Sequence, residues 1–122
     1  VAALPAALEA LGHRVTTIVP RYRGIGIEGL RTQPVTLEFG GGRWQGQFAI
    51  DEVSRARRLV LLDVPEWFDR DGLYGNGGAD HADNAIRFAG LAHGALAWAQ
   101  TDAAGRIDVV HGHDWQAGLV PA

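Results

Sequence analysis

His111-Gly112-His113-Asp114-Trp115 gathers two imidazoles, a carboxylate and an indole into one short run. Imidazoles and carboxylates can move protons, hold a metal or accept hydrogen bonds from a polar substrate, and an indole offers a flat face for stacking. The residues just before it, Ile107, Val109 and Val110, predict a buried strand that breaks at Gly112, and Trp115 to Ala122 could open a helix. In an open α/β sheet, ligands sit just outside the carboxyl ends of the strands. That rule places His111, His113, Asp114 and Trp115 on the lip of a cleft.

Several chemistries fit such a cluster. Alternate histidines beside a carboxylate suit a metal, but a catalytic zinc wants three protein ligands and an open position. Asp80-His81-Ala82-Asp83 could contribute ligands, yet nothing in its spacing requires it, and no metal site is assigned. A Ser-His-Asp hydrolase is disfavoured, because Ser54 is the only serine and no G-x-S-x-G occurs. With no cysteine in the chain, disulfides, Cys-based zinc sites and thiol nucleophiles are excluded. A plainer role also stands: His111 and Asp114 cap a strand-to-helix turn, with Asp114 as N-cap. Capping and ligand binding can coexist at a strand's carboxyl end.

Gly24-Ile25-Gly26-Ile27-Glu28-Gly29 spells a literal G-x-G-x-x-G. A dinucleotide site would need a strand immediately before it and a helix immediately after. Here Pro20 to Arg23 intervene on one side and Pro34 precedes a β-type run on the other, so the segment reads as a flexible loop.

The elements that must position the cluster follow from periodicity. Ala3, Leu4, Ala7, Leu8 and Leu11 predict a helix over Val1 to Leu11 that Gly12 ends. Val15 to Val19 is nearly all β-branched, a buried strand closed by Pro20. Val35 to Phe39 and Trp44 to Ile50 flank three glycines and predict a hairpin, and Arg58 to Val64 predicts another apolar strand. Pro65 to Gly78 reads as a long glycine-rich loop, with Trp67 and Phe68 as its hydrophobic plug and Tyr74 in its mobile half, free to stack on a ligand. Asp80 or Asp83 caps a largely buried helix running to about Gln100, in which His93 reads as a hydrogen-bonded core residue.

At 122 residues, 47% hydrophobic and 20% charged, the chain has the balance of one globular domain with a modest core. No apolar run approaches the roughly 20 residues that span a bilayer. A net charge of −3 argues against a nucleic-acid binder. Beginning inside an apparent helix and lacking methionine, the chain reads as an internal fragment.

Asp108 to Leu119 resembles the His-x-His-Asp-Trp segment of bacterial glycogen synthases and plant starch synthases. Three more segments agree in order and spacing: Ala3 to Tyr22, Trp67 to Gly75, and Asp83 to Phe88. The resemblance covers nearly the whole chain apart from Gly24 to Val53, which would be a variable loop and hairpin. It implies an α/β fold: a partial Rossmann-like parallel sheet with flanking helices and a β-hairpin insertion, the N-terminal half of a GT-B glycosyltransferase. Residues 1–122 would be an incomplete N-terminal domain, with the donor-binding C-terminal domain outside it.

The implied reaction is a retaining transfer of glucose from ADP-glucose to the 4-hydroxyl at the non-reducing end of an α-1,4-glucan. It is cytoplasmic and needs neither metal nor cofactor, nucleic acid nor membrane; the oligomeric state is not implied. The resemblance puts Asp114 in the cleft as the catalytic carboxylate that accepts bonds from sugar hydroxyls, and Tyr74 and Trp115 on the acceptor side. His113 would border the substrate, with His111 shaping the strand end. A Lys-x-Gly-Gly-Leu loop, a further histidine and the donor-binding arginine, lysine and glutamate lie outside these residues, so the chain alone should be inactive. Two alternatives remain: a transferase of the same fold using UDP-glucose, and a non-catalytic α/β binding or regulatory module.

Overall fold

In the computed structural model, residues 3–121 are described. The chain runs through α1 (Leu4–Ala10), β1 (Val15–Pro20), β2 (Arg31–Phe39), β3 (Gly42–Asp51) and β4 (Arg57–Asp63). It continues through α2 (Pro65–Phe68), the short β5 (Gly75–Asn76) and β6 (Ala79–Asp80), and α3 (Asn84–Ala99), then reaches a 3₁₀ turn at Trp115–Ala117. This is the α/β architecture expected, a mixed sheet in the order β1-β4-β3-β2.

β4 is the strand the sheet is built on. It pairs in parallel with β1, from Val15 opposite Arg57 to Pro20 opposite Leu62, and antiparallel with β3. A strand flanked on both edges and covered on its faces needs a continuous apolar run rather than alternation. Val60, Leu61 and Leu62 supply it, and all three are buried. The hairpin forms where the glycines predict it. Gly40 and Gly41, with φ of 55° and 76°, make the two-residue turn whose twist matches the strands. β2 starts earlier than the sequence suggests, at Arg31, and carries Pro34 opposite Gln47. It is an edge strand, where proline's missing N–H costs no ladder bond.

α3 lies on the face that presents Phe48, Val60, Leu62 and Val64. Trp98 meets Phe48 edge-on with ring centres 5.3 Å apart. Gly90 and Gly94 allow the approach: a Cβ on Gly90 would stand 2.3 Å from the Trp67 ring, and one on Gly94 would stand 2.7 Å from Leu62. Trp67 and Phe68, carried on α2, are both 1% exposed and form the expected plug.

Three expectations are corrected. Ile107 to Val110 is not a buried strand: the run makes no ladder, and Val109 is 80% exposed. Among the described residues β1 pairs only with β4, and a cavity of about 1240 Å³, lined by Val15 to Pro20 and also by Arg106 to Asp114, adjoins its other edge. Without a strand beside it, an apolar run has nothing to bury against. Beyond Asp114 the chain makes only a 3₁₀ turn, not an α-helix, within the described residues. α3 is buried on one face only. His93 is exposed and stacks on Phe39 with ring centres 4.5 Å apart.

The Trp67–Gly90 contact yields a test. Alanine in place of glycine ordinarily favours a helix by about 0.8–1 kcal/mol. Here the added methyl collides with a buried indole, and overpacking costs about 1–3 kcal/mol. Gly90→Ala should therefore lower stability in urea titrations, while Gly94→Ala, facing the movable end of Leu62, should lower it less. A stabilised Gly90→Ala protein would contradict this packing.

Candidate active site

The site is assembled from three pieces: the loop after α2, the first turns of α3 and the 3₁₀ turn. Phe88 of α3, 4% exposed, is its floor. Tyr74 lies against Phe88 with ring centres 5.8 Å apart, and Trp115 meets Phe88 edge-on at 4.9 Å. Tyr74 and Trp115 stand 5.8 Å from each other, and the Gln116 side-chain amide donates to the Tyr74 hydroxyl at 2.9 Å. Both rings keep accessible surface, 40% for Tyr74 and 55% for Trp115. Tyr74 and Trp115, tilted 54° to each other, leave accessible ring surface over the buried Phe88.

Asp114 immediately precedes Trp115 and lines the same cavity as Tyr74. Its backbone has φ 61° and ψ −176°, and it is the only non-glycine residue at positive φ among those described. That conformation is essentially a glycine one and costs of order 1–3 kcal/mol. Asp114 Oδ1 accepts the Trp115 N–H at 2.7 Å. Asp114 is thus the N-cap residue of the 3₁₀ turn, bonded to the adjacent N–H. The cap engages one carboxylate oxygen. Gly112 lets the chain double back, since a Cβ there would be 3.3 Å from Ala117.

His111 and His113 stack on each other with ring centres 4.4 Å apart and planes 15° from parallel. Tyr74, Phe88, His111, His113, Asp114 and Gln116 all line the same 1240 Å³ cavity. Trp115, the fourth expected site residue, is beside Tyr74 but does not line that cavity. Among the described residues, no group of three His, Asp or Glu side chains is placed to hold a metal.

Ion pairs attach the loop that carries Tyr74 to its surroundings. Arg23, just past β1, reaches Asp69 and Asp71, each at 2.8 Å. Arg70 grips both carboxylate oxygens of Asp83 at 2.7 Å and donates to the Glu66 carbonyl. Hydrogen bonding from Arg23 holds the Asp69 carboxyl below its ordinary value, and hydrogen bonding from Arg70 does the same for Asp83. Asp83 is the N-cap residue of α3 but makes no side-chain capping bond, its carboxylate being engaged by Arg70. Gly77 and Gly78, at φ 64° and 82°, close β5 onto β6.

Sequence reasoning placed Tyr74, His113, Asp114 and Trp115 in one region and missed the residues that hold them there: Arg23, Arg70, Asn84, Arg87 and Gln116. The pairing of Arg70 with Asp83 has no local signal. Arg87 had one, an arginine inside the apolar face of a helix. The G-x-G-x-x-G segment is irregular and runs directly into β2, so it has no helix to offer a phosphate.

Comparison with known proteins identifies the family of the chain. The family model described as the starch synthase catalytic domain matches residues 1–122. A glycogen synthase of Myxococcus xanthus is 43% identical over 127 residues, which cover 98% of this chain and 26% of that protein. One from Jannaschia sp. is 42% identical, covering 99% of this chain and 26% of the relative. One from Cereibacter sphaeroides is 41% identical over 100% of the chain and 26% of the relative. The chain spans about a quarter of the length of these curated relatives. Matched by the family model from its first residue to its last, the chain belongs to the starch synthase catalytic domain family.

Proposed function

We propose that this chain is the acceptor-side part of a retaining glucosyltransferase that extends an α-1,4-glucan from ADP-glucose in the cytoplasm. Residues 1–122 would be the first part of an N-terminal Rossmann-like domain, with a second domain, outside these residues, holding the nucleotide. Family membership supports the reaction class, and among the residues one observation carries the reading. An aspartate is held in a glycine-type backbone conformation at a cavity that Tyr74 and His113 also line. Backbone strain of this kind persists where the surroundings over-determine it, and such residues cluster at active sites.

In the transfer, the bond from the glucosyl C1 to the diphosphate breaks, ADP leaves, and a bond forms on the same face of C1 to the acceptor's 4-oxygen, whose proton passes to the departing diphosphate. An ionised carboxylate accepts hydrogen bonds only, and bonds to a charged acceptor are the stronger kind. Asp114 Oδ1 accepts the Trp115 N–H, and on this reading Oδ2 is the oxygen offered to sugar hydroxyls near the reacting carbon. Tyr74 and Trp115 form a wall that admits glucans of many lengths, because stacking is less directional than a fixed set of hydrogen bonds. His113 stacks on His111 and lines the same cavity as Tyr74.

Two substitutions test the reading in the full-length enzyme. Asp114→Gly removes the carboxylate and relieves the backbone strain. It should melt no lower than wild type, yet lose about 10²–10³ in kcat, the cost of removing one positioned hydrogen-bonding group. A variant that keeps its kcat would reduce Asp114 to a cap. Tyr74→Ala should raise KM for maltooligosaccharides with KM for ADP-glucose within about twofold, as expected when binding to one substrate alone is lost. If the two values rise together and the protein melts earlier, the ring is only packing. Assays run with ADP-glucose and UDP-glucose in parallel identify the donor, and turnover with neither would leave a non-catalytic module.

A further inference from the structure

Arg87 is fully buried, at 0% exposure, and among the described residues its guanidinium has no carboxylate as a hydrogen-bond partner. Nε donates to the Trp67 carbonyl at 2.7 Å, Nη1 to the Asn84 side-chain oxygen at 2.6 Å, and Nη2 to the Leu73 carbonyl at 3.1 Å. The Phe68 and Phe88 rings lie on it, each 5.4 Å from the guanidinium carbon. The nearby carboxylate of Asp83 is taken by Arg70. Burial pushes the Arg87 guanidinium below its ordinary value, and the Arg70 charge pushes the same way.

Burying a charge away from an opposite charge is expensive, and an apolar residue of similar volume is often the more stable choice. Packing is therefore a poor reason for an arginine here. What the guanidinium does that an apolar chain cannot is hold three acceptors in a rigid planar fork. Its neighbour one turn back completes a grip. Asn84 Nδ2 donates to the Tyr74 carbonyl at 2.8 Å, and the His81 N–H donates to the same oxygen at 2.8 Å. The consecutive carbonyls of Leu73 and Tyr74 are thus fixed from two residues spaced i, i+3 on one helix face. Fixing both peptide planes fixes the direction in which the Tyr74 side chain leaves the backbone, toward Trp115 and Gln116.

We propose that Arg87, with Asn84 as its second point of attachment, is a positioning residue that sets the Tyr74 ring in the acceptor wall through the Leu73 and Tyr74 carbonyls. The proposal rests on the reading of Tyr74 as an acceptor-side residue. Lysine at position 87 would keep the charge and much of the stem but could not span Trp67, Asn84 and Leu73 together. The ring would then be loosened without being removed.

The test uses the full-length enzyme and a double-mutant cycle of Arg87→Lys with Tyr74→Ala, assayed with maltotetraose and ADP-glucose. Arg87→Lys alone should raise KM for maltotetraose about five- to tenfold, more than it lowers kcat, the scale on which a small misplacement is felt. In the Tyr74→Ala background the same change should move that KM by less than about twofold, because residues acting through one contact are not additive. Full additivity, or a lower melting temperature with both KM values unmoved, would overturn the proposal. Asn84→Ala, a milder cut of the same grip, should shift KM the same way if Arg87→Lys folds poorly. Nitration of Tyr74 relative to Tyr22, read by mass spectrometry, should speed up in Arg87→Lys and Asn84→Ala, and an unchanged ratio would also overturn the proposal. If Tyr74→Ala leaves the maltotetraose KM alone while nitration still responds, the acceptor reading has failed and the positioning role stands.

Discussion

The Trp67 indole seated on the bare backbone of Gly90 is the contact on which the site depends. It fixes the distance between the loop leaving β4 and the helix that crosses the sheet, and it does so with a side chain too large and too buried to shift. With that distance set, Arg87 can reach the Trp67 carbonyl, and its guanidinium carbon lies 5.4 Å from both the Phe68 and the Phe88 ring centres. The rest of the loop then hangs from charges at its edges, Arg23 with Asp69 and Asp71 and Arg70 with Asp83. These outer pairs are exposed or half-exposed, and pairs of that kind contribute little stability by themselves. Their role is to choose one loop path among several that the glycines would permit.

The other half of the site is held by a different device. Gly112 lets the chain fold back on Ala117, and Asp114 takes a glycine's backbone angles to complete the turn. An ordinary capping residue needs no such conformation, because N-caps usually sit in the extended region. Capping alone therefore does not account for the strained backbone. Trp115, presented by the same turn, closes onto Phe88 and brings the two halves together over one floor.

Much of this fold was legible wherever the signal was local. The β-branched run of β1, the continuous apolar run of β4 and the glycine turn of the hairpin each specify an element from adjacent residues. The run Ile107 to Val110 looked the same but is exposed, because burial of a strand depends on a neighbour that its own sequence does not encode. His93 went astray for a related reason: α3 is apolar around most of its circumference, and only the placement of the hairpin shows which side is free. In the site, the residue types of Tyr74, His113, Asp114 and Trp115 singled them out. The grip of Arg87 and Asn84 was hidden because its acceptors are backbone carbonyls, which any residue supplies. Of the glycines near Tyr74, two serve the turn of a small hairpin.

The most direct measurement of the acceptor wall is a crystal structure of the full-length enzyme with maltotetraose and ADP bound. An acceptor wall requires a glucosyl ring lying face-on against Tyr74 or Trp115 and a sugar hydroxyl within about 3 Å of the Asp114 carboxylate. A nucleotide base stacked on Tyr74, with the glucan bound elsewhere, would contradict it.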